Sequence, residues 1–262
     1  MLNTSSKLYS IVVELGATEA GNPPATLGRA IYAQVLQWLN LGDINIAETV
    51  HQSAATPLTV SGLLGNRRHP KNYAGDRFYF RIGLLQEQLL QPLLKGIEQW
   101  GQEALIFGKY PFTICQFYFL SKSHSLARSN DYFSLVEKSP IFETIQLNFL
   151  SPTSFKKEKH IQPFPLPELV FNSLLRRWNH FAPEELHLPP IEWTALTSAF
   201  ELKTHVLKLE AGTEIGSQGW VKYYFPEPEQ AKIASTLAQF AFYAGVGRKT
   251  TMGMGQVQLL GQ

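Results

Sequence analysis

Residues 245–257 read GVGRKTTMGMGQV: Gly245, Gly247, Gly253 and Gly255 surround two cations, Arg248 and Lys249, and two threonines. Glycine takes positive φ without steric cost and lets a ligand approach the main chain closely. Successive exposed amides in such a loop make concave anion sites. The chemistry on offer is therefore phosphate binding, with a tight structural turn as the equal alternative while the loop is read alone. Two phosphate motifs are excluded by spacing. The dinucleotide fingerprint needs G-x-G-x-x-G between a strand and a helix, and the P-loop needs its lysine and hydroxyl residue after the second glycine. Here the pattern is G-x-G-x5-G-x-G, between a helix and a strand. Nucleoside-triphosphate chemistry is disfavoured accordingly.

Other residues could serve a phosphate ligand. The net charge of +2 announces no polyanion partner, but the cations are grouped: Arg67, Arg68, Lys71, Arg77 and Arg81; Lys156, Lys157 and Lys159 followed by Arg176 and Arg177; and Arg248 with Lys249. Interleaved with Phe, Tyr and Trp, these groups fit a surface that tracks phosphates. Trp178 beside Arg176 and Arg177, and Trp220 beside Lys222, are candidates for stacking on bases, against the commoner core role of an aromatic. Seven histidines are present, at 51, 69, 124, 160, 180, 187 and 205. Histidine can give or take a proton near neutral pH. Arg29 and Tyr32, three residues apart, share a face if they lie on one helix. The single cysteine, Cys115 in FTICQFYFL, rules out an intrachain disulfide or a cysteine-rich metal site and is expected in the core. No metal or cofactor is implied.

The elements that must position these residues follow an order. LYSIVVEL, residues 8–15, reads as a strand, and GNPPATLGRAIYAQVLQWLN as a helix with apolar residues at Ile31, Val35, Leu36 and Leu39. Strands are expected at 59–64 and 77–82, a helix at 83–100 that Pro92 kinks or starts late, and extended segments at 104–107 and 111–120. The polar stretch 121–131 resembles a domain connection. The order then recurs: a strand at 142–149, a helix at 166–181, strands at 203–209 and 219–224, a helix at 229–243 and a strand at 255–260. The expected class is α+β, two tandem ferredoxin-like (RRM-like) domains over residues 1–125 and 126–262. The longest apolar runs fall short of the roughly 18 residues a membrane span needs, and MLNTSSKLYSIVVEL lacks a cleavable signal pattern. A cytoplasmic protein with no membrane partner is expected.

The glycine loop together with NFLSPTSFKK (148–157), PFPLPELVFNSLLRRWNHFAP and GWVKYYF (219–225) resembles the Cas6 family of the RAMP superfamily, CRISPR-associated endoribonucleases that cut repeat RNA into guide RNAs. The resemblance covers mainly residues 142–260. It implies two ferredoxin-like domains with RNA in a basic cleft and metal-independent cleavage that leaves a 2′,3′-cyclic phosphate. It also implies that the glycine loop contacts RNA. The partner would be CRISPR repeat RNA or precursor crRNA, with a CRISPR effector complex and a homodimer left open.

The resemblance also selects the candidate catalytic set. His51 stands before PLTVSGL, in the small-polar loop HQSAAT expected after the first helix, where the family often has its histidine. Tyr32 would hold or help deprotonate the 2′-hydroxyl, and Arg29 would bind the scissile phosphate through its planar fork. Residues 52–61, QSAATPLTVS, contain no lysine, which departs from members that carry one shortly after the histidine. Arg29, Lys156 and Lys157 are the nearest substitutes for that cation. The expected RNA-binding set is Arg67, Arg68, Lys156, Lys157, Arg176, Arg177, Gly245, Gly247, Arg248, Lys249, Gly253 and Gly255. The missing lysine keeps a second reading open, a non-catalytic RNA-binding subunit of an effector complex. A third is an unrelated phosphate-binding enzyme.

Overall fold

The computed structural model describes residues 6–24, 26–65, 73–209 and 212–260. Arg67 and Arg68, with His69 and Lys71, lie outside the described residues. Two compact units divide at Ser129 and Asn130: an N-terminal unit of Lys7–Ser129 with Thr251–Gly253, and a C-terminal unit of Asn130–Thr250 with Ser6 and the residues from Met254 on.

In the N-terminal unit the order is β1 (Lys7–Ala17), α1 (Gly28–Gly42), α2 (Ile44–Gln52), β2 (Leu58–Val60), β3 (Leu64–Gly65), β4 (Arg77–Leu84), α3 (Leu90–Trp100), β5 (Leu105–Phe107) and β6 (Tyr110–Tyr118). The sheet order is β2-β4-β1-β6-β5, with β3 paired to β4. Strands β2, β4, β1 and β6 stand in the antiparallel order of a ferredoxin-like sheet, with two helical crossovers. One face of β1 and β4 buries Ile11, Val13, Leu15, Phe78, Phe80 and Ile82 against Ile31, Val35, Trp38 and Leu39 of α1. The helices α1 and α3 cross where glycine permits backbone contact. A Cβ at Gly96 would fall on the Trp38 carbonyl, and one at Gly42 on the Pro92 carbonyl.

The short strand β7 (Arg128–Asp131) spans the division, and the C-terminal unit then repeats the plan with α4 (Tyr132–Lys138), β8 (Thr144–Thr153), the hairpin β9 (Phe155–Lys157) and β10 (His160–Gln162), α5 (Pro167–Phe181), β11 (Leu196–Leu209), β12 (Gly212–Tyr224), α6 (Pro228–Ala244) and β13 (Val257–Leu260). Its four-stranded sheet runs β11-β12-β8-β13. Proline opens both α5 and α6 at the first turn, where its missing N–H costs nothing. Trp178 is fully buried, its ring 5.1 Å from Tyr132 and 5.2 Å from Phe240, and its Nε1 donates to the Leu186 carbonyl at 2.8 Å. Trp178 is thus a core residue, and stacking on a base falls away for it.

Two sequence expectations change, and one alternative is decided. Cys115 is exposed. The β1–β6 pairing passes from Glu14↔Gln116 to Leu15↔Ile114, so Cys115 is the extra residue of a β-bulge and is turned out of the core. The helix containing Pro92 starts late, at Leu90 after a 3-10 turn at Glu87–Leu89. And the segment after α1 is a second helix, because the Asp43 carboxylate caps it by accepting from the amides of Asn45 at 3.0 Å and Ile46 at 3.2 Å. Among the described residues no helix is long and apolar enough to cross a membrane.

Candidate functional site

The N-terminal unit gathers one site from α1, α2 and the tip of the glycine loop. Helix α1 turns Ile31, Val35, Trp38 and Leu39 inward, which leaves Arg29, Ala33, Gln37 and Asn40 as an outward stripe at helical spacing. Helix α2 buries only Ala47 and Val50 and folds back along that stripe. Between the helices runs an open groove of about 580 Å³, lined by Ala33, Gln37 and Asn40 on one side and Ala47, Glu48 and His51 on the other. His51 is exposed in the last turn of α2, so it sits on a helix rather than in the loop expected for it.

The folding back matters because it returns the end of α2 toward the beginning of α1. Four residues beyond Gln52, Thr56 makes a side-chain hydrogen bond with Tyr32. Tyr32 is half-buried, and its phenol is raised above the ordinary tyrosine range, chiefly by burial, with the Thr56 bond opposing. The phenol therefore keeps its proton near neutral pH and acts as a donor. Arg29 is exposed one turn N-terminal to Ala33, about 5.4 Å along the axis. Neither Arg29 nor Tyr32 lines the groove; they stand at its N-terminal approach.

The loop tip, Thr251–Gly253, packs as part of this same unit. A Cβ at Gly28, the first residue of α1, would overlap the Met252 carbonyl group. Gly253 has φ +88°, makes an isolated parallel bridge with Ser61, and would carry a Cβ 2.8 Å from the Gly62 nitrogen. Backbone therefore rests on backbone at the start of the helix bearing Arg29 and Tyr32.

The rest of the loop belongs to the C-terminal unit and lies on the SPTSF segment. Gly245 ends α6 with φ +64° and donates to the Ala241 carbonyl at 2.9 Å. Val246 donates to Gly255, Gly247 to Ser173 Oγ at 3.0 Å, Arg248 to the Ser154 carbonyl at 3.0 Å, and Gly255 to the Pro152 carbonyl at 3.2 Å. A Cβ at Gly247 would strike the Ser154 carbonyl, and one at Gly255 the Val246 carbonyl. The amides of Gly245, Gly247 and Gly255 are thus committed inside the protein, contrary to the idea of an amide cradle. These glycines shape the loop and let it lie close, with its charged side chains left partly exposed.

The cations divide into several kinds. Lys156 and Lys157 are exposed on β9, beside the turn that brings Glu158 to φ +55°. Arg176 is exposed on α5. Arg177, the next residue, turns inward: its Nη1 lies 3.5 Å from Thr250 Oγ1 and its guanidinium 5.7 Å from the Phe181 ring. Burial, partly offset by Tyr132, lowers the Arg177 pKa to about 10. Arg248 and Lys249 both reach Glu214 of β12, at 3.3 Å and 2.7 Å. Of the first sequence cluster, Arg77 pairs with Glu14 at 3.4 Å and Arg81 is 2% exposed. Trp220 is partly buried, its Nε1 3.3 Å from Glu201 and its ring 6.0 Å from Lys222 Nζ.

Thr56, Ser154, Ser173 and Glu214 escaped the sequence reading. Each acts through a partner remote in the chain, for which one sequence carries no signal. The SPTSF motif was the partial exception, since its serines adjoin residues already singled out.

Residues 147–257 match the family model described as CRISPR-associated endoribonuclease Cas6. A product complex of a Cas6 protein (TTHA0078) superposes with a TM-score of 0.77 at 28% identity, covering 97% of this chain and all of that one. The chain is similar to Cas6 proteins in that segment and in its fold. A product complex of Thermus thermophilus Cas6 (TTHB231) superposes with a TM-score of 0.84 at 23% identity over 98% of this chain and all of that one. A Cas6-related protein from Pyrococcus furiosus has a TM-score of 0.63 at 17% identity, covering 97% of this chain and 99% of that one. These last two carry the fold. No curated protein matches the chain. The segment matched to Cas6 runs from β8 through the glycine loop; His51, Tyr32 and Arg29 lie outside it.

Proposed function

We propose that this chain is a Cas6 endoribonuclease that binds CRISPR repeat RNA and cuts precursor crRNA into guide units by a metal-independent transesterification, with His51 as the proton carrier. The observation that carries this reading is the packing of Met252 and Gly253 against Gly28. It puts the tip of the family's loop against the helix of Arg29 and Tyr32, on which His51 also closes a groove. The matched structures include a Cas6 substrate-mimic complex and Cas6 product complexes, which supports RNA as this chain's ligand.

In the proposed reaction the 2′-hydroxyl attacks phosphorus, the bond from phosphorus to the 5′-oxygen breaks, and a 2′,3′-cyclic phosphate and a 5′-hydroxyl result. One proton leaves the 2′-oxygen and one arrives at the 5′-oxygen. His51 is exposed on the groove and can perform one of these transfers. Tyr32, held by Thr56 and kept protonated, donates a hydrogen bond rather than acting as a base. Arg29 supplies a bidentate fork for the phosphorane oxygens, the role that the lysine absent from residues 52–61 would otherwise fill. Lys156, Lys157, Arg176, Arg248 and Lys249 neutralise phosphates along the bound strand.

Incubation with repeat RNA tests the reading: one discrete cut is expected, with an unrelated hairpin left intact, and tight repeat binding without any cut would select the non-catalytic subunit instead. The adjacent arginines give a sharper contrast. Arg176→Ala is expected to reduce the slope of log affinity against log salt by about 1. Arg177→Ala, by removing an enclosed group, is expected to lower stability by roughly 1–3 kcal/mol with that slope unchanged. Filter binding at several salt concentrations and thermal unfolding of both variants check the pair.

A further inference from the structure

Glu214 is out of keeping with a phosphate-binding loop. It is an acid, 9% exposed, in a protein read as binding a polyanion, and it points at the two cations of the loop. Its Oε1 takes Lys249 Nζ at 2.7 Å and its Oε2 takes Arg248 Nη1 at 3.3 Å. Both cations are themselves partly covered, at 32% and 21% side-chain exposure. Two adjacent, partly buried positive charges repel each other, and the interior weakens that repulsion less than water would. Lys249 is moreover one of three non-glycine residues at positive φ among the described residues, at +55°, a conformation that persists only when its surroundings impose it. The surroundings here are the Arg248 amide bound to the Ser154 carbonyl on one side and the Glu214 carboxylate on the other.

We propose that Glu214 is a positioning residue for RNA binding: its carboxylate holds Arg248 and Lys249 in one arrangement on the glycine loop, ready for the RNA backbone. The role rests on the functional reading above and assigns Glu214 no contact with RNA. Arg248 spends one of its five N–H donors on Glu214, so the rest of the guanidinium fork serves the phosphate. Three charges on one rigid site carry a net +1, which binds a phosphate without the cost of ordering two long side chains on arrival. The opposite role would be a carboxylate that occupies the phosphate's place and has to be displaced. The two roles differ in sign.

The test compares wild type, Glu214→Gln, the Arg248→Ala/Lys249→Ala pair, and the triple variant, by repeat-RNA affinity over a range of salt. Glu214→Gln is expected to weaken binding about tenfold and to flatten the salt slope, although it removes a negative charge near a polyanion. In the Arg248→Ala/Lys249→Ala background the same change is expected to have no further effect. Tighter binding by Glu214→Gln overturns the proposal in favour of a displaced carboxylate. An equal loss in both backgrounds overturns it in favour of a merely structural acid. If Glu214→Gln does not fold, Glu214→Asp, which keeps the charge and shortens its reach, is read in the same cycle with the same outcomes. A wild-type chain that binds no repeat RNA overturns the functional reading and this role together, and is distinct from a Glu214 variant that binds as wild type, which overturns this role alone.

Discussion

Replacing His51 by alanine is expected to slow single-turnover cleavage of repeat RNA by about 10² to 10⁴-fold, with repeat affinity changed less than about threefold. The expectation follows from where the residue stands. His51 is exposed in the last turn of α2, on the wall of an open groove, and nothing in the core depends on its ring. Its neighbours Ala47 and Val50 carry the packing of the helix, so the variant keeps the fold. The loss therefore belongs in the rate at saturating RNA and not in binding, as for a group that acts in the transition state. Thr49→Ala, exposed on the same helix but outside the groove lining, serves as the control and is expected to cut normally. A His51→Ala protein with an undiminished single-turnover rate would pass the proton transfer to another group.

The second large effect lies at Gly28, which has no chemistry of its own. A Cβ there overlaps the Met252 carbonyl group, and backbone cannot give way as a flexible side chain can. Gly28→Ala is expected to push the loop tip off α1, reduce cleavage at least tenfold, and cost about 1–3 kcal/mol as an overpacked contact. Arg29, Tyr32 and His51 all remain. Gly253→Ala strains a second contact of the same loop tip, where a Cβ would come within 2.8 Å of the Gly62 nitrogen, with the added strain of φ +88°. Since both variants displace one loop tip, their effects on cleavage should not add. Single-turnover rates and urea unfolding of the two variants and the double variant check this. Additive losses would mean that the two contacts act on cleavage independently and not through one displaced loop tip.

Much of the scaffold was legible in the sequence for identifiable reasons. Helix α1 shows its buried face through Ile31, Val35 and Leu39, and α5 and α6 announce themselves with a proline at the first turn. The order of strands and helices sufficed for two ferredoxin-like halves, because that order admits few right-handed, uncrossed topologies. Helix α2 was missed: nine residues with two buried positions give a weak periodic signal, and its clearest mark is the Asp43 cap. The near halves of β11 and β12 were missed because partial exposure there removes the apolar alternation that marks a strand. Cys115 misled because an apolar run does not reveal a bulge.

The site was legible as a set of residue types and opaque as an arrangement. The glycines of the loop were conspicuous, yet their spacing could not say that most would serve backbone packing. The two arginines at 176 and 177 look alike in sequence, and only the helix phase turns one out and the other in. Likewise, no local pattern connects Glu214 to Arg248 and Lys249, which are more than thirty residues away in the chain.

In the proposed reaction the RNA's own 2′-hydroxyl makes the attack, and protein side chains alone move the protons. The most direct measurement places a single 2′-deoxynucleotide at the cleavage position of the repeat and follows the reaction in EDTA alongside the all-ribose RNA. The all-ribose strand is expected to be cut in EDTA to a 2′,3′-cyclic phosphate and a 5′-hydroxyl, and the deoxy strand to bind equally well and stay whole. Cleavage of the deoxy strand at an undiminished rate, or products ending in 3′-hydroxyl and 5′-phosphate, would contradict it.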